Sequence, residues 1–283
     1  MNKYIYINYY SDHDPARRAE NLQCVNSNLA LPWLDGMIIF LDNPEHRSDI
    51  TPNHKITFVD IPRRMEFRDA VQHANDQLPP NSIFIILNLD IMIEDNAAWP
   101  RIGRDFFQRG FPHKAMVCKR HNLAADGNLW IEEANWQNGD FCDAYVMTTP
   151  VAAGLLQEDL AFCVGGAPQC DNTMMYLMHK YYHVFSWGSK YRIIHIDIAR
   201  KKTIEATGMI LNDNTDYRPS RRGTEHLAIP AYQDWDTLLI QQREPIYIRN
   251  VSIKEIFYQQ SIVRSQLVYR TQEYLIRNKH HDE

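Results

Sequence analysis

The chain opens with apolar segments whose spacing changes from that of a strand to that of a helix. Tyr4 to Tyr10 is rich in Ile and Tyr, which predicts a strand. Asp14 and Pro15 then predict a helix start, with Asp as the N-cap and Pro at the first helical position. The next apolar and small residues are spaced by three and four, as on one helix face: Ala19, Leu22, Val25 and Leu29.

Further apolar runs predict more strands between helices. The predicted strands are 37–41, 56–61, 83–87, 115–119, 145–148 and 191–198. A helix is predicted over 66–77, before Pro79 and Pro80, and others begin near 150 and 171. This alternation predicts an α/β fold, with a mostly parallel central sheet flanked by helices. Ligands of such sheets bind outside the carboxyl ends of the strands, so the polar residues after Leu87 are where chemistry is expected.

The character of the chain changes after about Thr203. Residues 203–250 are polar and rich in turn formers, and 252–278 have the apolar spacing of a long helix. We therefore divide the chain into a main domain over 1–202 and a C-terminal extension over 203–283. The helix of this extension could pack on the core or form a homodimer contact.

Composition and charge narrow the classes of function. The 283 residues are 45% hydrophobic, which is ample for one sizeable core. The formal net charge of −5 argues against a protein that coats nucleic acid or an anionic membrane. The five cysteines show no C-x-x-C spacing, which favours reduced, buried thiols. With no signal-like N-terminus and no apolar run long enough for a membrane span, we expect a soluble, cytoplasmic protein.

The segment Asn88-Leu89-Asp90 directly follows the most hydrophobic predicted strand. A carboxylate there is rigidly held and faces a cleft, where Asp90 could bind a hard divalent cation together with substrate phosphates. The alternative is a turn in which Asn88 and Asp90 bond only to local backbone.

Several short motifs, in order, resemble a bacterial and viral branch of the GT-A glycosyltransferases. The run 83–95 resembles the D-x-D segment in its N-x-D-I variant, and Asp143-Ala144-Tyr145 resembles a D-A-W element. Residues 166–172 resemble a G-x-x-x-C-D-N element. The resemblance covers roughly 1–202 and also rests on these matched positions: Arg17, Glu20, Cys24, Asn28, Asn75, Arg120, His195 and Arg200.

The resemblance implies a GT-A-like fold and a hexosyltransferase-type glycosyltransferase. Such an enzyme would move a sugar from a nucleotide-sugar donor to a glycan or other hydroxyl acceptor, with Mn²⁺ or Mg²⁺ as cofactor. The sequence departs from the pattern at three positions, namely Asn88 for the first Asp, Asp197 for a second His and Ala199 for Ser. These departures bear on metal dependence and on activity itself.

Candidate donor-binding and metal-binding residues surround the predicted cleft. Strand alternation predicts that Ile194, Ile196 and Ile198 face the core, so His195 would face the cleft beside Asp90 and complete a metal site. A hydrogen-bonded structural His is the alternative. Arginines could hold the diphosphate or merely form solvated faces. The donor-binding set is Asn88, Asp90, Arg68, Arg120 and Arg200. Trp130, Trp136 and Trp187 could stack on sugar rings or pack in the core.

Two further carboxylates are candidate catalytic residues. Asp171 opens a predicted helix after a Gly-rich turn, and the resemblance implies that it is the base of an inverting transfer. The alternative is a helix N-cap, which would lower its pKa. Asp143 could bind the acceptor or hold Arg120 in place, and we favour the latter.

Two rival functions stay open. A nucleotidyltransferase can use a similar sheet and carboxylate, although no Gly-rich, Lys-bearing loop follows the first strand. A catalytically inactive sugar-binding relative would account for Asn88 and Asp197.

Overall fold

The computed structural model describes residues 1–107, 113–124, 126–130, 142–165, 170–185 and 190–199. Its strands are β1 (Lys3–Tyr9), β2 (Gly36–Leu41), β3 (Ile56–Asp60), β4 (Ile83–Leu87), β5 (Ile91–Ile93), β6 (Lys114–Leu123), β7 (Leu129–Trp130), β8 (Cys142–Thr148), β9 (His183–Phe185) and β10 (Ile193–His195). Its α-helices are α1 (Pro15–Leu29), α2 (Phe67–Gln77), α3 (Ile102–Phe107), α4 (Ala153–Leu156) and α5 (Cys170–Tyr181). Short 3-10 helices span Pro44–Asp49 and Trp99–Arg101.

The strands form one mixed sheet in the order β3-β2-β1-β4-β8-β6-β10-β5. Strands β3, β2, β1 and β4 are parallel, and β8 runs antiparallel between β4 and β6. Strand β10 is again parallel to β6, and β5 closes this end as an antiparallel partner of β10. The predicted fold class, α/β with a mostly parallel central sheet flanked by helices, is confirmed.

Side chains that alternate along the strands divide the core into two layers. In β4, Ile83, Ile85 and Leu87 face the layer that includes Val25 of α1 and Ile102 of α3. Phe84 and Ile86 face the opposite layer, which α2, α4 and α5 cover. Because β4 is fully buried on both faces, the unbroken apolar run that predicted it is the pattern of a central strand.

The first helix begins as its sequence predicts. Asp14 has extended backbone geometry, and its side chain accepts a hydrogen bond from the Ala16 amide at 2.8 Å. Pro15 occupies the first helical position, where its missing N–H costs no helical hydrogen bond. Helix α2 begins one residue later than predicted, because Glu66 is its N-cap and forms a reciprocal capping box with Asp69.

The predicted strand over 191–198 is wrong in length and in facing. Strand β10 covers only Ile193–His195, because beyond it the Ile196 amide donates to the Asp90 carbonyl, outside the ladder. Within the strand, Ile193 and His195 are buried, whereas Ile194 is half-buried. His195 therefore lies on the buried side of the strand, opposite to the predicted facing. Its ring is accommodated there because it contacts the polar side chains of Asn122 and Asp90.

Several predictions fall outside the described residues. These are the extension 203–283, most of the Gly-rich segment before Cys170, Arg200, Trp136 and Trp187. Of the helices that the structure describes, none has the length and apolar character needed to span a membrane.

Candidate functional site

Polar and charged side chains converge at the edge of the sheet where β4, β6 and β10 end. Asn88 and Asp90 follow β4, and Asp143 lies at the start of the antiparallel β8, on the same edge. Arg120 and Asn122 come from the last half of β6, and His195 is the final residue of β10. The predicted location of the site, at the carboxyl ends of the parallel strands, therefore matches where these side chains meet.

Asp90 is held between two cationic or potentially cationic groups. Its Oδ2 accepts a hydrogen bond from Arg17 Nη2 at 2.5 Å and lies 3.3 Å from His195 Nε2. Burial acts to raise the pKa of Asp90, but His195 and Arg17 outweigh it and hold the pKa well below the usual range for Asp. Asp90 is therefore ionised at every pH at which the protein would work.

Arg17 connects Asp90 to the segment that follows β10. Its Nη1 donates to the Ile196 carbonyl at 2.7 Å and lies 3.2 Å from carboxylate oxygens of both Asp197 and Glu20. Sequence reasoning placed Arg17 in a family-like motif but missed this role. The signal was available, because polar residues recur at helical spacing on the buried face of α1: Arg17, Asn21 and Asn28. Asp197, which stands where the family pattern has a His, is a partner of Arg17.

His195 has a polar partner at each ring nitrogen. Its Nδ1 lies 2.9 Å from Asn122 Oδ1, and its Nε2 lies 3.3 Å from Asp90 Oδ2. These two contacts hold the ring between β6 and the segment that follows β4. Asn122 was not among the predicted site residues.

Asp143 is buried and organises the residues on both sides of it. Its Oδ1 accepts from Asn88 Nδ2 at 2.5 Å, and its Oδ2 accepts from Arg120 Nη1 at 3.1 Å. The Asn88 amide N–H also donates to the Asp143 carbonyl at 3.1 Å. With both carboxylate oxygens engaged and the residue only 2% exposed, Asp143 is suited to orient Arg120 and Asn88 rather than to receive a proton.

Gly165 packs closely against the side chain of Asn88. A Cβ at position 165 would lie 2.8 Å from Asn88 Oδ1, and this glycine has φ of +69°. Only a residue without a side chain fits both the close approach and the left-handed backbone. The loop before α5 is thereby packed directly on the segment that follows β4.

Asp171 lies in the first turn of α5 and has a raised pKa. Its Oδ1 accepts from the Tyr145 hydroxyl at 2.9 Å and from Cys170 Sγ at 3.1 Å. Burial, with the nearby negative charge of Asp143, raises the pKa of Asp171 to about 7, although Cys170, Tyr145 and Arg120 act to lower it. Asp171 is the second residue of α5, so it lies one position inside the helix rather than at the residue before it.

Arg68 is not part of this cluster. It lies on α2, its side chain is 57% exposed, and its recorded ionic partner is Glu66, at 3.7 Å. Of its neighbours in sequence, Arg63 pairs with Asp69 at 2.7 Å, and Arg64 lies 4.6 Å from the Tyr10 ring centroid. The structure thus brings together Asn88, Asp90, Arg120, Asp143, Asp171 and His195 and leaves Arg68 apart. Arg200 lies outside the described residues.

The site offers two protein ligands to a metal. Among the described residues no group of three or more His, Cys, Asp or Glu side chains could hold a metal ion. The predicted pair, Asp90 and His195, is present with its ligand atoms 3.3 Å apart. Two neighbouring ligands of one ion, each at roughly 2.1 Å, lie roughly 3 Å apart, so the pair fits a divalent cation that takes its other ligands from water or substrate.

Comparisons with known proteins give structural similarity at low sequence identity. No family model and no curated protein matches the chain. One similar solved structure is a 4-diphosphocytidyl-2C-methyl-D-erythritol synthase from Anaerococcus prevotii DSM 20548, with a TM-score of 0.44 and 10% identity over 66% of this chain and 88% of that one. Another is GalNAc-T7 with UDP, GalNAc and Mn²⁺, with a TM-score of 0.48 and 10% identity. That match spans 70% of this chain and 44% of the other.

Proposed function

We propose that this protein is a glycosyltransferase that moves a sugar from a nucleoside-diphosphate sugar to a hydroxyl acceptor with inversion. The observation that carries the proposal is Asp171, a carboxyl group with a pKa raised to about 7 beside the charged edge of the sheet. A hydroxyl acceptor must lose its proton as it attacks the anomeric carbon. A carboxylate with a pKa near the working pH is suited to take that proton.

The donor would bind at the cluster around Asp90. Arg120 offers a guanidinium group to the diphosphate, oriented by Asp143, and Asn88 and Arg200 would add polar and cationic contacts. Asp90 and His195 would hold a divalent cation, Mn²⁺ or Mg²⁺. Such a cation, when bound, offsets the negative charge that builds up on the departing diphosphate. The protein groups themselves bind the donor, orient it and accept the acceptor proton at Asp171.

Two of the three departures from the family pattern, Asn88 and Asp197, are compatible with an active enzyme. Asn88 donates to the buried Asp143, and Asp197 pairs with Arg17, so each has a structural partner in its place. This weakens the case for an inactive sugar-binding relative, in which the substituted positions would have lost their roles.

Asp171 also separates the proposal from a nucleotidyltransferase. Attack by a phosphate group on a nucleoside triphosphate needs no base, because the attacking oxygen is already ionised. A half-buried carboxyl group with a raised pKa is therefore expected in transfer to a hydroxyl group and has no evident use in transfer to a phosphate.

A thermal-shift panel tests donor binding. UDP-, GDP-, CMP- and dTDP-sugars would be tested with and without Mn²⁺, because a ligand at 100 times its Kd stabilises the folded state by about 2.7 kcal/mol. We expect a shift with one donor, a larger shift with Mn²⁺, and loss of the Mn²⁺-dependent part in His195→Gln. Arg68→Ala is the control and should keep the full response. A shift with nucleoside triphosphates alone would contradict the proposal in favour of a nucleotidyltransferase.

A further inference from the structure

Among the described residues, the neighbours of Asp171 donate hydrogen bonds to one of its two carboxylate oxygens. Both of its recorded hydrogen bonds go to Oδ1, one from the Tyr145 hydroxyl at 2.9 Å and one from Cys170 Sγ at 3.1 Å. The donors come from different elements, because Tyr145 belongs to β8 and Cys170 is the neighbouring residue in α5. Two donors on one oxygen fix the plane of the carboxylate.

We infer that Tyr145 and Cys170 are positioning residues that hold Asp171 by Oδ1 and thereby present Oδ2 to the acceptor hydroxyl. This inference rests on the proposed role of Asp171 as the base. Tyr145 stands where the resembled family has a Trp, which lacks a hydroxyl group and whose only donor is its indole N–H.

The surroundings of Tyr145 make its hydroxyl a fixed donor. The residue is fully buried in β8, where it lies opposite Ile86 of β4 and Val117 of β6. Its ring contacts Phe67 edge to face, with the ring centroids 5.1 Å apart and the planes at 89°. A ring enclosed in this way cannot change its position, so the sheet fixes the place of the Tyr145 hydroxyl oxygen beside Asp171.

The two hydrogen bonds also affect the pH range in which Asp171 is ionised and able to accept a proton. Among the described residues, four groups from three elements act on its pKa: Asp143 and Tyr145 from β8, Arg120 from β6, and Cys170 from α5. Burial and Asp143 favour the protonated acid, whereas the two hydrogen bonds and Arg120 favour the carboxylate. The two donors therefore keep the base available near neutral pH, despite a half-buried site.

A pair of tyrosine variants tests the inference. Tyr145→Phe removes the hydroxyl donor, whereas the matched control Tyr182→Phe removes a buried hydroxyl from the same core layer, where it accepts from the Ala152 amide at 2.8 Å. The Asp171 carboxyl would be titrated by ¹³C NMR in aspartate-labelled protein, with Asp171→Asn assigning the signal. The pH profile of transfer would be measured alongside it.

We expect the Asp171 titration in Tyr145→Phe to move upward by about one pH unit, and the rising limb of the kcat profile to move with it. Tyr182→Phe should change neither midpoint, although it can lower stability. An unchanged titration in Tyr145→Phe would overturn the inference. A shifted titration with an unshifted kcat profile would overturn it too, because the held carboxylate would then not be the one that accepts the proton.

Variants of Cys170 provide a second test of the inference, which can be used if Tyr145→Phe does not fold. Cys170→Ser retains a donor and should keep the Asp171 midpoint close to that of the wild type, whereas Cys170→Ala should raise it. Equal midpoints in the two variants would overturn the role of Cys170. Failure of the proposed function is recognised separately, because Asp171→Asn would then turn over like the wild type whatever the titrations give.

Discussion

The contact between Asn88 and Asp143 gives a structural reason for Asn, rather than Asp, at position 88. Its side-chain amide donates to Asp143 Oδ1 at 2.5 Å, and Asp143 is buried with Arg120 as its cationic partner. A carboxylate at position 88 would face a second carboxylate there, and the repulsion would raise the pKa of one of the two. The amide supplies the donor that Asp143 needs and leaves Asp90 as the acidic residue of the segment.

The pKa of Asp171 predicts a pH-dependent stability difference. Because the folded-state pKa is raised to about 7 from 3.8, the folded protein binds more protons than the unfolded chain between these values, and its stability falls as pH rises through them. Asp171→Asn cannot ionise and escapes this loss. We expect the variant to gain about 1–2 kcal/mol relative to wild type on going from about pH 5 to about pH 8, a figure that is reduced for the partial exposure of the side chain.

Urea denaturation at the two pH values measures this difference. Because the loss begins near the unfolded-state pKa of 3.8, the variant should already have part of its advantage at the lower pH and a larger advantage at the higher one. A stability difference that does not change with pH would mean that the Asp171 carboxyl titrates at its ordinary value.

Among the secondary-structure elements, α1 stabilises the end of the sheet that β10 and β5 form. Arg17 from its first turns reaches Asp90 and the Ile196 carbonyl, and Asn28 from its last turn binds β5. The Asn28 side chain donates to the Ile91 carbonyl at 2.8 Å and accepts from the Ile93 amide at 2.8 Å. It thereby satisfies backbone groups of the last strand in the sheet order, as a neighbouring strand would.

Loss of the two hydrogen bonds between Asn28 and β5 should destabilise the protein. Asn28→Ala removes two buried hydrogen bonds and leaves a backbone donor and acceptor without partners, which is expected to cost about 2–4 kcal/mol. Chemical denaturation measures the change, with Asn26→Ala as the control, because Asn26 is exposed on the same helix. Equal stability of the two variants would show that water or another group replaces the Asn28 side chain.

Elements were predictable from the sequence where one pattern dominates locally. The run 83–87 is apolar throughout because β4 is central, and Asp14-Pro15 starts α1 by capping chemistry alone. The strand over 191–198 was predicted too long because alternation continues in the sequence after the ladder ends. What ends it is a set of contacts with Arg17 and Asp90, which no local pattern contains.

At the scale of the whole molecule, the site depends on pairs that are distant in sequence. Arg17 and Asp90 are 73 residues apart, and His195 and Asp90 are 105 apart. The sequence predicted Asp90, His195, Asp143 and Asp171 as candidates by residue type and motif. It could not predict that Arg17 would pair with Asp90 or that Tyr145 would hold Asp171, because these contacts depend on the sheet order together with the packing of α1 and α5 against the sheet. The placement of Arg68 away from the cluster follows from the same topology.

The most direct test of the central claim is release of nucleoside diphosphate from sugar donors, measured for the wild type and Asp171→Asn with a pool of hydroxyl-bearing glycans as acceptors. We predict that the wild type uses one donor, and that Asp171→Asn binds it equally well but releases product about 10² or more times more slowly. Product release by Asp171→Asn at the wild-type rate would contradict the assignment of the base. Release of pyrophosphate from a nucleoside triphosphate, with no donor sugar consumed, would contradict glycosyl transfer itself.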